Sequence, residues 1–234
     1  MRPNHILVRF LWTTVVFLAF IGLAVGTRRV DLLLRPEVAI GPRNPVKNPA
    51  EVVDEHFASQ RALTLTHILP GMLFMILGPL QFMAQLRARH PRFHRWSGRI
   101  FLSASAVLGV AGLRMALGPT IGGADEKASI LVFGSFFLAA LAKAFWHAMR
   151  RELTQHREWM IRGFATGLAV AAIRPIMGSF FAAAALRGRT PDPGSFFGTA
   201  FWIGFVLSAV VAEAWIRYTR QRMESVRRPA QVLT

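Results

Sequence analysis

Six long apolar segments alternate with polar segments along the chain. They cover about residues 6–26, 62–86, 98–118, 129–149, 163–186 and 195–216. Each is close to the roughly 20 residues that an α-helix needs to cross the hydrocarbon core of a bilayer. Open strands would leave backbone groups without hydrogen bonds in lipid. The pattern predicts an all-α, polytopic integral membrane protein with six transmembrane helices, and residues 1–234 are expected to form a single membrane domain.

The first span has two interpretations. Arg2 and Arg9 precede it, and Ala24-Val25-Gly26 at its end resembles a signal-peptide cleavage site. Arg28-Arg29 follow directly, as they do after a retained anchor. We expect a retained helix, with cleavage as the alternative.

Composition narrows the class of protein. The chain carries a formal net charge of +16, yet it is 53% hydrophobic with 19 Phe and 6 Trp. A disordered basic tail needs few apolar residues, and no nucleic-acid-binding motif is present. The absence of cysteine excludes disulfides, thiolate metal sites and thiol catalysis. We therefore expect a lipid bilayer as the partner, with no nucleic acid and no metal cluster.

The distribution of charge predicts the orientation. If the N-terminus is cytoplasmic, the segments on that side hold sixteen basic and three acidic residues, whereas the external segments hold nine and eight. Basic residues accumulate on the cytoplasmic side of membrane proteins. We expect a bacterial inner-membrane protein with both termini in the cytoplasm and with its basic face on anionic inner-leaflet lipids.

A weak internal repeat spans the centre of the chain. His94-Arg95 and His156-Arg157 each precede a Trp, a further Arg and an apolar helix, and Arg114 and Arg174 follow late in those helices. Spans two and three would then correspond to spans four and five as parallel hairpins. Two such hairpins would form a central four-helix bundle, with the two His-Arg motifs meeting at one face and Arg114, Arg174 and His67 at the other.

Several motifs resemble a known family. They are His67-x-x-Pro70-Gly71, Gly78-Pro79-x-Gln81-Phe82, Leu86-Arg87-x-Arg89-x-Pro91-x-x-His94-Arg95-x-x-Gly98-Arg99 and His156-Arg157-x-Trp159-Met160-Ile161-Arg162. Over residues 60–180 the chain resembles the bacterial membrane-protein family catalogued as domain of unknown function 2306 (DUF2306). The resemblance implies a multi-helix membrane fold and brings no catalytic residues.

Haem b is the first candidate ligand. A haem in a helix bundle needs two axial histidines and cations for its propionates. His94 and His156 supply such a pair, and Arg95, Arg99, Arg157 and Arg162 supply the cations. The alternative is that both histidines only bind loop carbonyls and lipid headgroups, because they lie in arginine-rich segments at the membrane boundary.

An anion or quinone site at the outer face is the second candidate. Arg114 and Arg174 lie inside apolar helices, where a charged side chain costs free energy, so a role for them is expected. His67 is expected at the same level of the membrane. The reason for the two charges is either a ligand held by His67, Arg114 and Arg174, or snorkelling of the two arginines to headgroups.

A third cluster combines Lys143, His147 and Glu213. A Lys143–Glu213 pair would lower the cost of burying both charges. The cluster is either a proton relay or an ion pair that fixes span six to span four.

Together these residues favour a redox-associated membrane protein that binds haem b or a quinone. A small-solute transporter or permease-like protein and a non-catalytic subunit of a membrane complex or of its assembly stay open as alternatives. The protein partners considered are the members of such a complex or a second copy of this chain. No nucleophile–base pair or phosphate loop identifies an enzyme class.

Overall fold

The computed structural model describes residues 4–35, 49–189 and 192–231, and the regular elements in these ranges are helical. The α-helices are α1 (His5–Leu34), α2 (Pro49–Ser59), α3 (Arg61–Phe82), α4 (Ala84–Arg89), α5 (Pro91–Ala116), α6 (Gly123–Met149), α7 (Leu153–Ala185) and α8 (Phe197–Gln231). A 3-10 helix, Pro193–Ser195, precedes α8. Six of the helices are long and apolar enough to cross a membrane. The prediction of an all-α polytopic membrane protein is confirmed.

The helix ends differ from the apolar segments because helices continue into charged sequence. Pro91 begins α5 at a position where its missing N–H costs nothing, so His94 lies in the first turn of a helix and not in a loop. His156 likewise lies in the first turn of α7. Helix α8 continues beyond Ile216 to Gln231. The sequence also predicts an extended connector after the first span, marked by Pro36, Pro42, Pro45 and Pro49. All of these prolines except Pro49 lie outside the described residues.

Four phenylalanines, one from each central helix, form the middle of the core. Phe74 of α3 is fully buried and stacks on Phe101 of α5, with ring centroids 5.1 Å apart. It also meets Phe137 of α6 at 5.8 Å and Phe164 of α7 at 5.4 Å. Such aromatic pairs stabilise a bundle beyond simple burial. The central four-helix bundle therefore consists of α3, α5, α6 and α7.

The two remaining long helices pack outside this bundle. Helix α1 packs against α3 and α7, and α8 packs against α7 and α6. The backbone N–H of Asn4 donates to the Tyr218 hydroxyl at 3.2 Å, so the start of α1 and the end of α8 lie together. We call this end of the bundle the termini side and the opposite end the α2 side.

Candidate functional site

A cavity of about 220 Å³ lies between the helices toward the α2 side. All six long helices and α2 contribute to its wall. Most of the wall is apolar, and five ionisable side chains also line it. These are Arg29, His56, His67, Glu126 and Arg174.

His67 and Arg174 lie at the same depth in the bundle. A Cβ atom on Gly167 would overlap the ring of Phe74, so these two residues mark one level of α3 and α7. His67 is seven residues from Phe74 toward the α2 side, and Arg174 is seven residues from Gly167 in the same direction. At 1.5 Å per residue both are about 10 Å above that level. Equal spacing from a shared contact thus brings a histidine and an arginine to one cavity.

The ring of His67 is held in a defined orientation. Its Nδ1 lies 3.0 Å from the carbonyl oxygen of Leu108, and a carbonyl can only accept, so Nδ1 carries the proton. In the neutral ring Nε2 then has a free lone pair. The close approach of α5 depends on Gly112, because a Cβ there would be 3.1 Å from Cε1 of His67. The cavity thus contains an oriented hydrogen-bond acceptor.

Arg174 brings a positive charge with no counter-ion in contact. It is half-buried and lines the cavity. Among the residues described by the structure, none forms a hydrogen bond or an ion pair with its guanidinium group. The guanidinium group, which carries five N–H donors, is therefore without a protein partner among the described residues.

Helix α2 closes the cavity through a charged contact with α1. Asp54 binds Arg28 at 2.8 Å and Arg29 at 2.5 Å, and the Arg29 side chain is only 7% exposed. The Arg29 guanidinium also lies 4.6 Å from the centre of the Phe57 ring. Burial alone would raise the pKa of Asp54, but the hydrogen bond from Arg28 and the charge of Arg29 lower it further than burial raises it. The carboxylate therefore stays ionised and holds α2 in place.

Two further features fix the cavity-facing side of α2. The Thr64 hydroxyl, fully buried in α3, donates to the Phe57 carbonyl at 2.9 Å. His56 lines the cavity beside Phe57, and burial together with the nearby charge of Arg29 lowers the pKa of its ring. His56 is therefore neutral at pH 7 when α2 is docked.

Glu126 lies closer to the α2 side than Arg174. It is 6% exposed, and its Oε2 accepts from the backbone N–H of Gly122 at 2.7 Å. It is eleven residues from Phe137 of the aromatic core, about 16 Å at 1.5 Å per residue, and so about 6 Å beyond the level of Arg174. Its carboxylate holds the turn before α6 and faces the same cavity.

Arg114 does not join this site, contrary to the sequence expectation. It is exposed and does not line the cavity. The reason is helical phase: Gly112 faces His67, and a residue two positions later points about 200° away around the helix. The repeat therefore does not bring Arg114 into the cavity beside Arg174.

The expected Lys143–Glu213 pair does not form. Glu213 accepts from Arg162, whose Nε and Nη2 lie 2.5 and 3.1 Å from its two oxygens. Exposed Lys143 instead lies 4.4 Å from the centre of the Trp159 ring. His147 contacts Glu152 at 2.5 Å. Arg162 is a better partner because its planar fork matches a carboxylate, although it precedes the apolar segment 163–186 in the sequence.

The two His-Arg motifs lie toward the termini side, away from the cavity. Nδ1 of His156 donates to the Ala144 carbonyl at 2.8 Å, and Nδ1 of His94 is buried without a partner. His94 and His156 are close enough that their rings would repel each other if both were protonated. Of their arginines, Arg95 and Arg99 are exposed, whereas Arg157 donates to Thr219 at 3.2 Å. Haem ligation by this histidine pair stays a prediction.

In the described ranges no group of three or more His, Asp or Glu side chains is arranged to hold a metal ion. Arg29, His56 and Glu126 were missed as site residues because they lie beyond or between the apolar segments.

A family model described as "Predicted membrane protein (DUF2306)" matches residues 64–216, well over half of the chain. This chain belongs to the DUF2306 family. The match includes the four central helices and most of α8, so most of the cavity wall lies within the DUF2306 region. No curated protein and no solved structure matches the chain.

Proposed function

We propose that this DUF2306 protein binds a small amphipathic molecule in the cavity, with an oxygen-bearing head group at Arg174 and His67. The observation that carries the proposal is the guanidinium of Arg174, which faces a cavity without a counter-ion in contact. A charge in a helix bundle is costly unless it is paired or serves a function. A bound head group would supply the missing hydrogen bonds.

The site offers both kinds of hydrogen bond. Arg174 donates, and the lone pair on Nε2 of His67 accepts. A quinone carbonyl, a quinol hydroxyl and a carboxyl group all contain oxygens of this kind. Redox chemistry on a quinone and passage of a solute both begin with this binding step, and so the proposal is common to the two functions predicted from the sequence.

A pair of glycine substitutions tests cavity binding. Gly112→Leu would place a side chain against His67, whereas Gly178→Leu would meet open space, since no atom lies within 4 Å of its Cβ position. The wild type and the two variants would be extracted with native lipid, and the small molecules that co-purify would be identified by mass spectrometry. We expect one molecule to be retained by the wild type and by Gly178→Leu and to be lost from folded Gly112→Leu. Equal retention by all three would contradict the proposal.

The orientation in the membrane is part of the same proposal. The excess of basic residues on the termini side supports cytoplasmic termini on anionic inner-leaflet lipids, with α2 facing outward. A reporter enzyme fused after Thr234 should be active only in the cytoplasm. Activity of a periplasmic reporter at that position would overturn the orientation.

A further inference from the structure

We infer that the cavity takes a singly charged anion, a carboxylate on a short apolar chain. This inference rests on the proposed function and specifies the chemical class of its ligand. It follows from the charges around the cavity, the geometry of Arg174 and the size of the space.

Two of the three charged groups that line the cavity already have partners. Arg29 is bound by Asp54. Glu126 accepts a backbone hydrogen bond from Gly122. Only Arg174 lacks a partner among the described residues. An open guanidinium group favours an anionic head group over a neutral one, and a single negative charge is enough to pair with it.

A carboxylate also matches the shape of the donors. The guanidinium group is a planar fork that forms two parallel hydrogen bonds to the two oxygens of a carboxylate. A quinone carbonyl offers a single oxygen and no charge. The lone pair on Nε2 of His67 accepts the O–H of the neutral acid, whereas the anion is bound by Arg174.

The rest of the cavity suits a short hydrocarbon chain. Met72 and Met75 of α3, Phe137 of α6 and Phe205 of α8 line it. Methionine side chains adapt to irregular apolar shapes. The volume of about 220 Å³ limits the hydrocarbon chain to a short one.

Thermal unfolding with three probes tests this inference. The protein would be placed in lipid nanodiscs and titrated with octanoate, octanol or a short-chain benzoquinone, and unfolding would be followed by tryptophan fluorescence. Octanoate should raise the unfolding temperature and octanol should not, because a ligand that binds the folded state stabilises it. The apparent affinity for octanoate should fall at least about tenfold in Arg174→Gln and less in Arg174→Lys, which keeps the charge but not the fork.

Arg114→Gln is the matched control. It removes another arginine of the central bundle that is exposed and lies outside the cavity, so it reports any effect of octanoate on the lipid. Its response should equal that of the wild type. An equal response in Arg174→Gln and Arg114→Gln would overturn the carboxylate assignment. Stabilisation by the quinone or by octanol but not by octanoate would also overturn the carboxylate assignment. If that stabilisation is lost in Gly112→Leu, the proposal of cavity binding stands. No stabilisation by any probe would contradict both proposals.

Discussion

Asp54→Asn should release α2 from the bundle. Asp54 is the acidic partner of both Arg28 and Arg29, and the Arg29 side chain stays 7% exposed when the contact forms. Breaking a buried pair by removing one partner costs about 3–5 kcal/mol. Asp54 is 15% exposed, and asparagine keeps one acceptor oxygen. We therefore expect a smaller loss of docking free energy, about 2–3 kcal/mol, which is typical of hydrogen bonds to charged groups. The open population of α2 should rise roughly 30- to 150-fold.

Cysteine labelling measures this opening directly, since the chain contains no cysteine. Val53 of α2 packs against the cluster that contains Ile173 and Phe197, so a Val53→Cys thiol is shielded while α2 is docked. Its reaction with a water-soluble maleimide should accelerate when Asp54→Asn is added.

Asp31→Asn is the control for this measurement. It removes an ion pair with Arg35 whose side chains are 57% and 66% exposed, and such pairs contribute about 0.5 kcal/mol or less. The labelling rate should change less than about threefold. Equal rates in Asp54→Asn and Asp31→Asn would refute the role of the buried contact.

Three further predictions concern pH, the aromatic core and the contact between α7 and α8. Docking of α2 should weaken below about pH 6.5, because undocked His56 binds a proton more readily than docked His56. It should weaken again below about pH 3.9, where Asp54 of undocked α2 begins to bind a proton while docked Asp54 stays ionised. Hydrogen exchange of the α2 amides should show both steps, and His56→Gln should remove the first. Phe74→Ala should lower the unfolding temperature by several degrees, whereas Phe17→Ala on the lipid-facing side of α1 should change it little; equal losses would contradict the core assignment. Arg162→Gln and Glu213→Gln should show a coupling of about 1–3 kcal/mol in a double-mutant cycle of unfolding, and additive effects would show that the pair is not coupled.

The fold followed from the sequence because hydrophobic length and charge are local properties. The six apolar segments correspond to the six long helices, and the similar spacing of the two hairpins predicts that His67 and Arg174 lie at one level. Of the two interpretations of Arg114, ligand binding beside His67 and Arg174 is not supported, since Arg114 points away from the cavity. Gly112, two residues earlier, is the signal that could have indicated this, because a glycine facing a histidine marks the packed side of the helix.

The α2 contact depends on pairing that local patterns do not contain. Arg29 follows the first apolar segment, where arginines commonly flank a membrane anchor. Its contact with Asp54, which lies 25 residues later, is visible only in the three-dimensional structure. Glu126 resembles a loop residue because only the three-dimensional turn places Gly122 at its carboxylate. Arg162 lies just before the apolar segment 163–186, and its partner Glu213 is 51 residues away, so no local pattern indicates this contact.

Photo-crosslinking tests the central claim most directly. An octanoate that carries a diazirine on its chain would be bound in nanodiscs and activated, and the labelled peptides would be identified by mass spectrometry. The predicted result is labelling of α3 around Met72 and Met75, lost in Arg174→Gln and kept in Arg114→Gln. Labelling confined to the exposed side of α1, or unchanged in Arg174→Gln, would contradict a cavity that binds carboxylates through Arg174.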